Sequence, residues 1–379
     1  MLNDRYSGDL KKIKYKYGEK DFGEFLKALE KLYYIPLPLE DVFGEKLVLC
    51  DGSAHAKDGA VKLLLKPQEG RYGVSAAEDE IVATSAIESV DFSRDSVRRI
   101  LKGFAPQDEE ELRITGLKRG LDFISDTAYE ITEENLYRLY MTAVGSFLSE
   151  ENRLKDGRFY RNGPVFVVSD RVEHKGADCR KLPRYMRALV DFANADDGIN
   201  DLFKAAVIHF YIAYLHPYFD GNGRMARLVH LWFLIRKGYR SALFIPFSSS
   251  IEKSRKAYYN AFTLIEENRK ISGKTDVTPF ITYFVNHVYN KMTDGAPPLD
   301  LFAAYDEAVR RGAVTEKETR LWKFVLSFYG DREFSTKQLE KDFGNAAYAT
   351  VRGFVLKFKE LGLLTSVNYG VRVKYRIKK

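Results

Sequence analysis

A mainly α-helical fold is predicted for these 379 residues by three features of the sequence. Leu202 to Leu215 and Met225 to Ile235 are dense in Leu, Ile, Val, Phe, Tyr and Trp, long enough for helices and too apolar all round to lie on a surface. Between Glu133 and Phe147, the residues Leu136, Leu139, Tyr140, Val144 and Phe147 recur at helical spacing behind Thr132, a suitable cap. Strand character is confined to short stretches, of which Val165 to Val168 and Leu363 to Ile377 read as hairpins.

Composition bounds what such a fold can be. A hydrophobic content of 45% with 14% aromatic residues supplies buried cores for two or three domains and argues against disorder. Cys50 and Cys179 are too few and too far apart for a disulfide scaffold, which fits a reducing compartment. Met1 to Lys20 is polar and Lys-rich, and no apolar run reaches membrane-spanning length, so the expected location is the cytoplasm, with no membrane partner. The net charge of +7 is concentrated at the C-terminus: residues 331–379 hold eleven Lys/Arg and five Asp/Glu.

In chain order, residues 1–75 read as an N-terminal extension covering the core. It comprises an amphipathic helix over Phe22 to Leu32, a segment containing Pro36 and Pro38, and strand-like runs at Lys46 to Leu49 and Val61 to Leu65. Ala76 to Ser89 is compatible with a helix, Ser93 can cap one that starts near Arg94, and Pro183 suits the first turn of one reaching Phe192. His209, His230 and His287 sit among apolar residues as core histidines, and no Cys or carboxylate joins them at zinc spacing. Asp276 to Phe280 opens a last core helix, and Asp294-Gly-Ala-Pro-Pro-Leu-Asp300 reads as a linker after a core spanning residues 76–293. Residues 301–379 then run helix, Ser335-capped helix, Gly344-Asn345 turn, a helix with Val351, Phe354, Val355, Phe358 and Leu361 on one face, and a hairpin around Asn368-Tyr-Gly370.

The stretch between the two apolar helices carries the chemistry. His216-Pro-Tyr-Phe-Asp-Gly-Asn-Gly-Arg224 interrupts the helical pattern, which resumes at about Arg224, so a polar loop is held at the start of a buried helix. Unpaired N–H groups and the positive end of the helix dipole favour an anion there, and Gly221 and Gly223 allow a phosphate close approach. Arg224 and Arg227, three apart, can clamp polyphosphate oxygens. Asp220 suits a Mg2+ shared with a nucleotide, and His216 can take up a proton near neutral pH.

His216, Asp220, Gly221, Asn222, Gly223, Arg224 and Arg227, with Tyr218 at a usual Phe, match the signature His-x-Phe-x-Asp/Glu-Gly-Asn-Gly-Arg-x-x-Arg, and over roughly residues 80–292 the chain resembles the Fic family. The resemblance implies a helical core with a β-hairpin flap and an enzyme that transfers the AMP moiety of ATP to a Tyr, Thr or Ser hydroxyl of a target protein. By it, His216 is the general base and Asp220 the Mg2+ ligand; Gly221, Asn222 and Gly223 hold the α- and β-phosphates, with Arg224 and Arg227 on the β/γ side. Thr84-Ser-Ala-Ile-Glu88-Ser89 is similar to the family's inhibitory helix, here at about 76–89, in which Glu88 pairs with Arg227 and blocks the γ-phosphate site. Ser89 stands where that pattern has Gly or Asn, and a serine has no easy access to a left-handed helix cap. Val165, Phe166, Val167 and Val168 correspond to a flap that pairs with the target backbone. Tyr258 or Tyr259 lies near the adenine end. The C-terminal unit resembles a winged helix, in which Arg352, Lys357, Arg372, Lys374 and Arg376 can meet DNA, and a partner-docking or dimerising role is equally open. Two alternatives to AMP transfer follow from the same residues: removal of AMP with Glu88 orienting a water, and a DNA-binding regulator whose core senses nucleotide.

Overall fold

A computed structural model describes residues 8–50, 54–65, 74–168, 173–292, 299–329, 332–370 and 372–378. The order is α1 (Leu10–Ala28), β1 (Tyr34–Glu40), β2 (Lys46–Cys50), α2 (Asp58–Leu64), α3 (Val74–Ile87), α4 (Arg94–Leu101), α5 (Glu109–Ser125), α6 (Glu133–Ala143), β3 (Phe166–Val168), β4 (Glu173–Lys175), α7 (Leu182–Asn194), α8 (Asp201–Leu215), α9 (Asn222–Arg236), α10 (Phe247–Lys253), α11 (Arg255–Ser272) and α12 (Thr278–Tyr283). After these come α13 (Leu299–Arg310), α14 (Glu316–Phe324), α15 (Thr336–Phe343), α16 (Tyr348–Glu360), β5 (Leu364–Tyr369) and β6 (Arg372–Ile377). The fold is mainly helical, and its described strands form three separate antiparallel pairs.

The helices α8 and α9 are buried almost from end to end and pack side by side, which is why their sequences lack a polar face. Around them α5, α6, α7, α11 and α12 contribute to one continuous core. Asn200 caps α8 by accepting from the Leu202 N–H, and Thr132 does the same for α6 at Asn135. The helix expected to reach Phe147 ends at Ala143, because Val144 turns out of helical geometry (φ −138°) and sets its side chain where a Cβ on Gly221 would fall.

Residues 34–50 are stitched to the core through backbone. Pro36 faces Val48 in the β1–β2 register, and Val48 in turn exchanges bonds with Thr275 O (3.0 Å) and the Val277 N–H (2.9 Å). Leu37, Leu39, Leu47 and Leu49 enter the main core. The strand-like run Val61 to Leu65 is instead part of the helix α2 and its cap: Ala60 and Leu64, four apart and both fully buried, have helical rather than strand spacing.

Of the expected linker, residues 294–298 lie outside the described residues, and Leu299 and Asp300 already belong to α13. The C-terminal elements have a core of their own around Leu321, Trp322, Val325, Phe334, Val351, Phe354, Phe358 and Ile377. Thr315 and Ser335 each close a capping box, with Glu318 and Gln338, and Gly344 ends α15 in the left-handed region. Phe334 pairs with Tyr375, adding a bridge beside the hairpin. This unit touches α3, where the Arg332 guanidinium donates to Ser75 Oγ at 3.2 Å.

His209 and His230 lie in the core, where their Nε2 atoms meet the hydroxyls of Tyr258 (2.9 Å) and Tyr289 (3.2 Å), whereas His287, expected to be a core histidine too, is exposed. Burial holds both imidazoles neutral, His209 well below its ordinary 6.5 and His230 down to about 3. An unfolded chain protonates them near 6.5, so their contribution is full above that pH and is lost as pH falls below it. Urea unfolding of wild type and His230→Gln between pH 7 and pH 5 tests this: the variant loses stability less steeply, by up to about 1.4 kcal/mol per pH unit.

Candidate active site

The α8–α9 connection is built by two residues in the left-handed region, His216 (φ 54°) at the end of α8 and Gly221 (φ 78°) at the start of α9. For His216 such a backbone costs about 1–2 kcal/mol, so it persists only where neighbours over-determine it. Its Nδ1 lies 3.1 Å from the carbonyl of Ala213. A carbonyl only accepts, so Nδ1 carries the proton and Nε2 keeps a lone pair, the form a general base needs.

Asn222 is placed differently from its phosphate-binding expectation. It is buried, its Oδ1 accepts from the Tyr218 N–H and its Nδ2 donates to the Tyr218 carbonyl, both at 2.9 Å. Its amide is spent closing the loop. Tyr218 is buried below and stacks on Tyr140 with ring centroids 3.8 Å apart. Asp220 is exposed; its Oδ1 accepts from the Gly221 N–H and lies 3.4 Å from Arg224. The other oxygen has no protein partner among the described residues, and Arg224 Nε is likewise without one.

Arg227 points inward and is 3% exposed. Its Nε donates to Thr84 Oγ1 (2.6 Å), and its Nη2 donates to Thr84 O (3.0 Å) and Glu88 Oε1 (2.8 Å). Glu88 Oε1 also stands over Gly223, in the space a Cβ there would take. A carboxylate thus sits at the N-terminus of α9, on the glycine and the guanidinium. Burial opposes its charge, but Arg227, then Arg224 and His216, outweigh this and hold Glu88 below the ordinary carboxylate range.

The helix that carries Glu88 is anchored along its length. Glu78 bonds Arg94 and Arg98, and buried Glu80 accepts from the N–H and hydroxyl of Ser248. Ser89 does enter the left-handed region (φ 61°), contrary to expectation. Arg255 donates to its hydroxyl (3.2 Å) and to Ala86 O (3.3 Å), bonds that offset the strain.

Facing the loop, Val165 O accepts from the Gly176 N–H, and Phe166, Val167 and Val168 pair with Lys175, His174 and Glu173. Phe166 is 55% exposed. A cleft of about 820 Å3 adjoins this hairpin, lined by Pro164 and Gly176 on one side and Phe43, Tyr214 and Arg269 on the other. Sequence reading missed this contribution of residues 41–43. Buried Asp41 bonds Arg269, whose guanidinium lies 3.5 Å from the Phe43 ring centroid, and no local motif announces so distant a pairing. Of the adjacent tyrosines, Tyr258 is buried with its hydroxyl on His209 and presents no face for stacking, whereas Tyr259 is 41% exposed beside Arg255.

In the C-terminal unit Arg352, Arg372 and Arg376 are exposed. Lys357 is not available as expected, because its ammonium is bound by both oxygens of Glu318 (2.9 and 2.8 Å), and Lys374 lies over the Tyr369 ring. No cluster of three or more His, Cys, Asp or Glu suited to a metal occurs among the described residues. No described helix is long and apolar enough to cross a membrane.

Asn222→Ala removes two buried bonds and leaves the Tyr218 backbone unpaired. It is expected to cost about 2–4 kcal/mol in chemical unfolding, with Asn222→Asp, which keeps the acceptor but sets a carboxylate oxygen against the Tyr218 carbonyl, losing no less at about pH 7.

Residues 130–234 match the model of the Fic/DOC family. The "Protein adenylyltransferase Fic" of Nematostella vectensis is 29% identical over 180 residues, 46% of this chain and 37% of that protein. That of Drosophila willistoni is 25% identical over 183 residues, 47% and 32% of the two chains. The chain therefore spans about a third of the length of these relatives. A crystal structure of a Fic family protein from Desulfovibrio desulfuricans shares the fold with a TM-score of 0.50 at 18% identity, covering 86% of this chain and 97% of that one.

Proposed function

Because this chain belongs to the Fic family, we propose that it is a protein adenylyltransferase, moving AMP from ATP to a Tyr, Thr or Ser hydroxyl of a target protein, and that it is held inactive by Glu88. The observation that carries the reading is the Glu88 carboxylate on Arg227 and over Gly223. One guanidinium cannot serve a carboxylate and a γ-phosphate together, so nucleotide binds productively only when Glu88 leaves.

With Glu88 displaced, the N–H groups that open α9 receive the phosphates and Arg224 and Arg227 neutralise the β/γ end. His216 Nε2 accepts the proton of the target hydroxyl as its oxygen attacks the α-phosphorus. The bond from that phosphorus to the bridging oxygen breaks, and pyrophosphate leaves in line. Asp220, exposed and with one oxygen unpartnered, fits a Mg2+ ligand; the ion would supply charge neutralisation on the phosphates. The hairpin at Phe166 and the adjoining cleft lined by Phe43 and Arg269 would receive the target segment by strand addition.

Wild type, Glu88→Gly and Glu88→Gly/His216→Ala, incubated with ATP and Mg2+, distinguish the outcomes by intact mass. A gain of one AMP in Glu88→Gly, absent from the other two, is expected; no nucleotide binding by any of the three overturns the reading. Loss of AMP from the modified product on adding wild type would instead reveal a hydrolase that uses Glu88. Since Arg227 keeps Glu88 ionised to below its ordinary range, the restraint is expected to hold in wild type from about pH 6 to pH 8.

For the C-terminal unit we propose a winged-helix module that contacts DNA through Arg352, Arg372 and Arg376. Its affinity for duplex DNA should fall steeply with salt and weaken on Arg352→Ala while surviving His216→Ala. Salt-insensitive or absent binding would point to a protein partner or a dimer interface.

A further inference from the structure

Arg161 is a buried cation that the family motif does not include. It is 2% exposed, and among the described residues no carboxylate lies within ion-pair distance of it. Its partners are backbone carbonyls: Nε donates to His216 O (2.6 Å), Nη1 to Gly163 O (2.5 Å), and Nη2 to Ala177 O (2.5 Å) and Leu215 O (3.4 Å). Its own N–H donates to Pro217 O at 3.0 Å. Burying an unpaired charge is costly, and a fold keeps one where several fixed acceptors replace its water.

The choice of acceptors is informative. Gly163 precedes β3 and Ala177 follows β4, side by side at the open end of the hairpin, while Leu215, His216 and Pro217 form the end of α8 and the start of the loop. The left-handed backbone of His216 is therefore gripped from both sides of its peptide, by Nε on its own carbonyl and by the Arg161 N–H on the next. Gly176 completes the contact, because a Cβ there would lie 2.9 Å from Arg161 Nη2 and 3.1 Å from His216 Cβ.

We propose that Arg161 is a positioning residue for AMP transfer: its planar guanidinium pins the backbone of the base to both chain segments at the open end of the hairpin that receives the target. The inference rests on the transferase reading above. By fixing the His216 backbone, Arg161 also preserves the Nδ1–H to Ala213 O bond and so the tautomer that leaves Nε2 basic. A lysine cannot substitute, since one ammonium cannot span carbonyls that the guanidinium reaches with three nitrogens.

The test uses the full chain with Glu88→Gly as reference, adding Arg161→Lys or Arg161→Gly. Two readouts are taken: 15N NMR of the His216 imidazole, which needs no activity, and the kinetics of AMP incorporation. The reference is expected to show one tautomer, protonated on Nδ1, and both variants a mixture. In kinetics, kcat is expected to fall on the order of a hundredfold while KM for ATP stays within about threefold. Millimolar guanidinium, but not ammonium, should restore part of the loss in Arg161→Gly. An unchanged tautomer, a kcat in Arg161→Lys equal to the reference, or parallel loss of ATP binding and kcat each overturns the proposal. If the reference itself incorporates no AMP, the transferase reading fails while the NMR comparison still decides whether Arg161 sets the His216 geometry.

Discussion

The site depends on one buried guanidinium. Arg227 lies on a helix with no exposed face to spare, and its charge must be answered from inside the protein. Thr84 supplies a hydroxyl and a carbonyl, and Glu88 the counter-charge. All three acceptors come from the end of α3, so the position of that helix and the electrostatic state of the loop are a single problem. Removing Glu88 without a replacement anion leaves a buried cation only partly satisfied, and a phosphate is a chemically equivalent answer to the same demand.

The loop beside it is rigid for reasons independent of any ligand. Asn222 closes it through two backbone bonds, Tyr218 is stacked beneath it on Tyr140, and Gly221 is pressed against Val144 where no side chain fits. Arg161 ties the opposite end, at His216, to the hairpin. A loop held from both ends is fixed before any ligand arrives, which is the structural form of preorganisation.

The elements around α3 extend this coupling outward. Glu80 reaches α10 at Ser248, Glu78 reaches α4, Arg255 of α11 bonds the last turn at Ala86 and Ser89, and Arg332 of the C-terminal unit touches Ser75 at the other end. A helix with so many polar anchors cannot slide or tilt without breaking several of them together.

Much of this was legible in the residues alone. The all-round apolar character of Leu202 to Leu215 and Met225 to Ile235 required burial, and the glycines between them required a break, which the left-handed His216 and Gly221 supply. What a side chain does at short range follows from its type and spacing. What it meets across the fold does not: the tertiary structure decided that Asn222 faces inward to Tyr218, that Tyr258 answers His209 while Tyr259 remains at the surface, that Lys357 is occupied by Glu318, and that Val61 to Leu65 coils instead of extending. It also decided the partners of Arg161, which in sequence is one arginine among many in a polar stretch. Its four acceptors lie 2 to 55 positions away in the chain, and only folding brings those carbonyls to one guanidinium.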